Sequence, residues 1–347
     1  MISVAINGFG RIGRAFFRLV MNQTLNNQGA NRPTECENSD IQISHIYDVK
    51  NFEILAYLLK HDSLLGEFGS EIEFKKDKFF VRGKEIKLTQ DFSGADIVLE
   101  CSGAFLDTKS LESYLQNGAK RVILSAPPKD NMPIFIYGVN WDKYNGEAIF
   151  SNASCTSNAI APIIHTISKK YKILGGNIST IHPFNGDQNL LDNPNASHLR
   201  DKRLSRNATQ NIIPTSSSIG AVLGRIFSDL GVNSNPNEAF NGNAWRFYGD
   251  SIRVPTSLVC FSNVDLLLES MPKMDEILGL EWNRKIIAFD SESRVSSDFV
   301  GDSHSAIIAK DLIKINEQML RISIWFDNEN GYANRLLDII KDLNCQI

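Results

Sequence analysis

The chain has 347 residues, 42% of them hydrophobic, and carries 36 basic against 40 acidic side chains for a formal net charge of −4. That length is too great for one compact core, so two domains are expected. The mild acidity and the lack of any membrane-length apolar stretch point away from nucleic-acid and membrane partners. The five cysteines, at 36, 101, 155, 260 and 345, are scattered without metal-ligand spacing, which predicts no metal and suits a reducing cytoplasm.

In chain order, Ile2-Ser3-Val4-Ala5-Ile6 reads as a short β-branched strand, so no signal peptide is expected at this end. Gly8, Gly10 and Gly13 follow with G-x-G-x-x-G spacing, and Ile12, Ala15, Phe16, Leu19 and Val20 then repeat at helical spacing. A lone G-x-G-x-x-G says little, but between a strand and a helix it is the fingerprint of a dinucleotide site. Gly8 permits the tight turn, Gly10 admits the pyrophosphate, and Gly13 lets helix and strand pack closely. The fingerprint also asks for an acidic residue at the end of the second strand, about 20 residues on, to bind the adenosine ribose. Asp48 closes the run Ile41 to Asp48 and is the best candidate, although it comes late; Glu35 and Glu37 have no strand before them. The excess length is the polar stretch from 22 to 40, read as a surface insertion.

Residues 52–59 read as a helix, and 95–103 and 121–127 as buried strands ending in small-residue turns. Ligands of an open parallel sheet bind at such strand ends, which makes Ser102, Gly103 and Ser125 candidate cofactor neighbours, each equally readable as an ordinary turn residue. Ser151 to Asn158 then sets Cys155 among small hydroxyl and amide side chains, with Ile160, Ile163, Ile164 and Ile167 at helical spacing behind it. A thiol at a helix N-terminus is favoured as thiolate, and His182, on a short polar-capped strand, would complete a Cys–His pair. The alternative is an inert small hydrophobe, but such cysteines have apolar neighbours. Beyond 154, strand-like segments at 256–268 and 319–325 suggest a mostly antiparallel sheet. The polar loop from Asp187 to Arg206 carries Pro194, Arg200, Lys202, Arg203 and Arg206, either a solvated face or an attractor for an anion or a neighbouring subunit. Residues 334–343 place Leu336, Leu337, Ile339, Ile340 and Leu343 on a closing helix.

Over essentially its whole length the chain resembles the phosphorylating glyceraldehyde-3-phosphate dehydrogenase family. The matching blocks are Ala5 to Gly13, Ser125-Ala126-Pro127, Tyr137 to Asn140, Ser151 to Asn158, Asn211 to Pro214, Arg253 to Thr256 and Trp325 to Glu329. The resemblance implies an α/β protein: a Rossmann-type doubly wound NAD domain over 1–154, rejoined by a C-terminal helix over 327–347, and an α+β catalytic domain over 155–326. It implies NAD as cofactor, a phosphorylated aldehyde and inorganic phosphate as substrates, and a homotetramer in which the 187–206 loop reaches a neighbour's cofactor. Cys155 and His182 are then the catalytic pair. Gly8, Gly10, Arg11, Ile12, Gly13, Asp48, Ser102, Ser125 and Asn328 would contact the cofactor. Ser154, Thr156, Asn185, Arg203, Ser217, Ser218 and Arg253 would contact substrate and phosphate. A carboxylate at Asp48 repels the extra phosphate of NADP, and Pro194 matches a proline of NAD-specific members.

The departures from the family pattern gather at the phosphate sites. Asn185 stands where a threonine is usual, Ser217-Ser218 replaces Thr-Gly, Ala221 a lysine, and Leu204 a second arginine; Asn330 replaces an aromatic. Two other readings therefore stand beside glyceraldehyde 3-phosphate oxidation: an erythrose-4-phosphate dehydrogenase, and a catalytically weak paralogue with a binding or regulatory role.

Overall fold

A computed structural model describes residues 2–26, 41–75, 78–194, 201–230 and 247–345. From residue 27 on, the 22–40 insertion lies outside the described residues, as do Cys36 and Arg200. The chain divides into two compact units. One comprises Met1–Tyr137, Trp141–Ser154 and Tyr332–Ile347, the other Gly138–Asn140 and Cys155–Gly331. The chain thus changes unit between Ser154 and Cys155 and returns at Tyr332, later than the expected 327.

The first unit begins with β1 (Ile2–Asn7), α1 (Arg11–Asn26), β2 (Ile41–Tyr47) and α2 (Phe52–Lys60). A small hairpin, β3 (His61–Asp62) with β4 (Gly66–Glu67), precedes β5 (Ile72–Lys75), β6 (Lys78–Val81) and β7 (Lys84–Leu88). Then come β8 (Ile97–Glu100), α3 (Thr108–Gln116), β9 (Arg121–Leu124) and β10 (Ile149–Ser151). The large sheet runs β10-β9-β8-β1-β2-β7-β6-β5. It is parallel from β10 through β7 and antiparallel beyond. The connections after β1 lead to β2 on one side and the later β8 lies on the other, so the strand order switches at β1. Helix crossovers require parallel strands buried on both faces, and β8 answers with four consecutive buried residues.

The second unit contains α4 (Cys155–Ser168), β11 (Ile173–Pro183), β12 (Ile213–Ser216), α5 (Ile219–Asp229), β13 (Phe247–Val254) and β14 (Cys260–Leu268). It continues with α6 (Met274–Leu278), β15 (Ile287–Asp290), β16 (Ala306–Ala309), β17 (Lys314–Ile315) and β18 (Met319–Phe326). The sheet order is β12-β13-β11-β14-β18-β16-β15, with β17 beside β18. Only β11–β13 and β15–β16 are parallel, so the sheet is mostly antiparallel. Two strand boundaries differ from expectation. His182 sits near the end of an 11-residue strand rather than a short one. The 256–268 run begins as a strand only at Cys260, because Thr256 N bonds back to the Val254 carbonyl and Val259 takes φ +69°.

The last helix, α7 (Asn330–Cys345), starts four residues before the expected 334. Asp327, just outside it, accepts hydrogen bonds from the backbone N–H groups of Glu329 and Asn330, both at 2.9 Å. The five apolar side chains named above are all buried, each worth about 1.5–3 kcal/mol, so the helix is held by its stripe. Among the described residues no helix is long and apolar enough to cross a membrane.

Candidate active site

In the first unit β2, β1 and β8 end side by side at the switch point, and the residues after each strand form one crevice. Gly8 has φ +92°, and a Cβ there would meet the backbone of Cys101 and Ser102. A Cβ on Gly13 would strike the Gly8 carbonyl, whereas one on Gly10 would meet nothing within 4 Å. Packing therefore demands the outer two glycines, and the middle one leaves the backbone open to a ligand. Asp48 is fixed by the same loop: Oδ2 accepts from Phe9 N at 2.8 Å and Oδ1 from Lys50 N at 2.9 Å. Each oxygen retains a lone pair for a ribose hydroxyl. The carboxylate borders a cavity of about 440 Å³ that Gly8, Gly10, Ser102 and Phe105 also line. A flexible glycine turn, an acceptor pair and a cavity of this size fit a dinucleotide.

The neighbours of that crevice are more committed than their spacing suggests. Arg11 opens α1 but pairs with Asp62 at 2.6 Å, and Ile12 follows it half-buried. Ser102 donates its hydroxyl proton to Glu100 Oε1 at 2.5 Å, and its N–H donates to the same atom at 2.7 Å. Glu100, almost fully buried, also accepts from Asn7 Nδ2 at 2.5 Å and from the Tyr114 hydroxyl at 2.9 Å. Ser125 ends β9, donates its N–H to the Glu100 carbonyl, and stands against the Cys101 thiol, which burial pushes up to about 12. The Glu100 cluster was missed in the sequence; a glutamate closing the apolar run Ile97-Val98-Leu99 was its only signal.

Cys155 is the first residue of α4. Just before it, fully buried Ala153 is held at φ +53°, a left-handed conformation costing a non-glycine residue on the order of 1 kcal/mol. Bonds from Ala153 N to Ser151 Oγ (2.8 Å) and from the Tyr332 hydroxyl to the Ala153 carbonyl (3.2 Å) hold it there. Ser154, Cys155 and Thr156 are all half-buried, and Thr156 Oγ1 lies 3.9 Å from the Cys155 sulfur.

His182 lies buried near the end of β11, paired in register with Arg253 of β13. Its Nδ1 lies 2.8 Å from the Pro183 carbonyl, which can only accept, so the neutral ring carries its proton on Nδ1 and its lone pair on Nε2. Arg253 Nη1 donates to the same carbonyl at 3.3 Å. The amide orientation that satisfies the surroundings of Asn185 places its oxygen against Arg253 Nη1 and Nη2, at 3.1 and 3.3 Å. Among the described residues no hydrogen bond joins the Cys155 sulfur to His182; what links them is the Arg253 charge, which acts on both.

Electrostatics here correct one expectation. Burial pushes the Cys155 thiol up, and the Thr156 hydroxyl, the Arg253 guanidinium and the N–H groups of Thr156 and Cys155 pull it down without prevailing. The helix terminus acts in the expected direction but burial outweighs it, so the resting group is a thiol. His182 is pushed down to about 4, by burial first and Arg253 second, against the opposing Pro183 carbonyl. The pair at neutral pH is therefore thiol and neutral imidazole. Cys260, which the sequence did not mark, is buried at the start of β14 with its thiol pushed well above the usual range, by burial and then by Cys155.

Of the remaining candidates, Ser217 Oγ accepts from Ile219 N at 3.3 Å at the start of α5, and Ser218 is its exposed N-cap residue. Asn328 Oδ1 accepts from Val259 N at 3.1 Å, which leaves its amide nitrogen to donate. Arg203 is not brought to the Arg253 group: Asp201 takes its Nε at 2.8 Å and its Nη2 at 2.9 Å. Arg206 pairs with Asp192 at 2.7 Å, so Arg203 and Arg206 are each paired with a carboxylate of the same loop.

Residues 2–108 match the family model described as glyceraldehyde 3-phosphate dehydrogenase, NAD binding domain, and residues 154–328 match the corresponding C-terminal domain. A glyceraldehyde-3-phosphate dehydrogenase of Helicobacter pylori is 38% identical, over 97% of this chain and 98% of the relative. Those of Salmonella typhimurium and of Escherichia coli K12, the latter named glyceraldehyde-3-phosphate dehydrogenase A, are each 34% identical over 99% of both chains. Two matched domain models and full-length identity at this level, joined to the glycine turn and the thiol-led helix, place the chain in the glyceraldehyde-3-phosphate dehydrogenase family.

Proposed function

We propose that the protein oxidises glyceraldehyde 3-phosphate, with NAD and inorganic phosphate, to 1,3-bisphosphoglycerate through a thioester on Cys155. Family membership makes it an NAD-dependent oxidoreductase. The observation that carries the covalent route is the Cys155 thiol at the head of α4, under the same guanidinium charge as a histidine whose Nε2 is unprotonated.

The aldehyde carbonyl is attacked by the Cys155 sulfur while the thiol proton passes by way of His182 Nε2 to the carbonyl oxygen, giving a thiohemiacetal and returning the imidazole to its neutral form. Bound NAD supplies the acceptor for the hydride that leaves this adduct. His182 takes the adduct's hydroxyl proton, and the carbon becomes a thioester. Inorganic phosphate then adds to the thioester carbonyl, and the Cys155 thiolate departs from the tetrahedral adduct and takes back the proton held by His182, releasing the acyl phosphate. Arg253 suits the substrate phosphate because a planar guanidinium gives parallel donors to two oxygens. Ser154, Thr156, Ser217 and Ser218 are the hydroxyls assigned to inorganic phosphate. Gly8, Gly10, Gly13 and Asp48 would cradle the cofactor, and Asn328 would donate to the nicotinamide carboxamide. A homotetramer in the cytoplasm belongs to the same proposal.

Steady-state turnover on glyceraldehyde 3-phosphate and erythrose 4-phosphate, each with and without inorganic phosphate, tests the reading. The triose phosphate should be preferred and its oxidation should require phosphate. Preference for the tetrose would make Asn185, in place of the usual threonine, the mark of a different aldose. Slow turnover on both would mark a binding or regulatory paralogue.

A further inference from the structure

We infer that Asn185 is a positioning residue that clamps one edge of Arg253 and thereby fixes the other edge as the seat of the substrate phosphate; this rests on reading Arg253 as the substrate-phosphate arginine. A guanidinium carries five N–H donors in one plane, two facing forward between Nη1 and Nη2, two forming a side fork from Nε and Nη2, and one on the outer side of Nη1. The Asn185 oxygen lies against both Nη1 and Nη2, at 3.1 and 3.3 Å, and so occupies the forward pair. The Pro183 carbonyl, 3.3 Å from Nη1, takes the outer donor. Among the described residues the side fork of Nε and Nη2 is what remains, and its parallel donors match two oxygens of a phosphoryl group.

Asn185 is itself anchored. Its N–H donates to Gln188 Oε1 at 3.0 Å, and its carbonyl accepts from Gln188 N at 3.0 Å, closing a short turn directly after β11. In the same orientation its amide nitrogen faces acceptors and presents N–H donors on the side away from the guanidinium. A threonine here has one short hydroxyl and cannot span both Nη atoms. An aspartate would hold Arg253 more tightly than the amide does, yet it would cancel the positive charge and remove the two donors. The clamp therefore requires an acceptor on one side and donors on the other, which a carboxamide alone among these side chains supplies.

The test compares Asn185→Thr, Asn185→Ala and Asn185→Asp in the NAD-loaded protein. Calorimetry reads the dissociation constant of glycerol 3-phosphate, a monoester that cannot be oxidised at an aldehyde; kinetics read kcat and KM for glyceraldehyde 3-phosphate. Glycerol 3-phosphate affinity should fall in the order Asn, Thr, Ala, Asp. The alanine variant should lose about 10-fold, the scale of one charge-assisted hydrogen bond. KM should rise in parallel while kcat holds. Asp is the decisive variant, because a merely structural role would tolerate this isosteric change best. Aspartate binding as tightly as asparagine, alanine without effect, or kcat falling at constant KM would each overturn the clamp, as would a parent protein that does not bind glycerol 3-phosphate. A parent that binds the monoester in the expected order but does not oxidise glyceraldehyde 3-phosphate would refute the functional reading and leave the clamp standing.

Discussion

His182 and Arg253 are register partners on the parallel strands β11 and β13, and both bond to the single carbonyl oxygen of Pro183, at 2.8 and 3.3 Å. That oxygen fixes the imidazole tautomer, leaving Nε2 as the lone pair. It also brings a positive charge to the ring, so the imidazole, already disfavoured as a cation by burial, stays neutral at rest. The same charge partly offsets the burial of the Cys155 thiol. One backbone carbonyl thus ties His182 and Arg253 together.

Cys155→Ser should bind NAD normally and show no detectable aldehyde oxidation, because a serine hydroxyl is far less acidic than a thiol and makes a poor leaving group from an ester. NAD titration by fluorescence quenching and NADH formation by absorbance check both halves. Substantial turnover by the serine variant would refute the thioester route.

His182→Asn keeps a hydrogen-bonding side chain but removes the proton acceptor. Turnover should fall roughly 10²–10⁴-fold, the usual worth of a positioned acid–base group. Alkylation of Cys155 by iodoacetamide should slow at neutral pH. Unchanged thiol reactivity would mean that His182 does not assist ionisation.

Because burial pushes the Cys155 thiol up, its alkylation rate in the free enzyme should keep climbing beyond pH about 8.5, the ordinary range for a cysteine. Arg253→Gln should displace that profile further upward, since a pull towards thiolate has been removed. A plateau reached below pH 7 would show a preformed thiolate and contradict the balance found here.

His182 also links stability to acidity. Its folded-state pKa is depressed to about 4, so between pH about 6.5 and 4 the unfolded chain binds a proton that the folded chain refuses. Stability from this group is present above about pH 6.5 and lost as pH falls towards 4, by up to roughly 3 kcal/mol. Urea unfolding of the parent protein and of His182→Asn across this range should show the parent losing more. Parallel losses would mean that the ring titrates normally.

The parts of this protein that the sequence determined are those whose causes are local. Glycine spacing between a strand and a helix marks Gly8, Gly10 and Gly13, although the close approach that demands Gly8 is to Cys101 and Ser102, far along the chain. The polar setting of Cys155, with isoleucines at helical spacing behind it, marks the head of α4. Asp48 stands out in the sequence despite its late position because it follows directly on a strand, β2, which ends at Tyr47.

What only the tertiary structure decided depends on residues far apart in the chain. No spacing announces that His182 and Arg253 stand in register on adjacent strands, or that the Pro183 carbonyl serves both. The protonation of the Cys155–His182 pair reverses the local expectation because desolvation sums over everything packed around the group, whereas the helix-terminus effect acts only within the first turn. Arg203 reads as an anion contact in sequence and becomes an ion pair because the folded loop turns Asp201 back onto it. Asn185 reads as a phosphate contact standing in for the usual threonine; its bonds to Arg253 exist only because β13 lies beside β11.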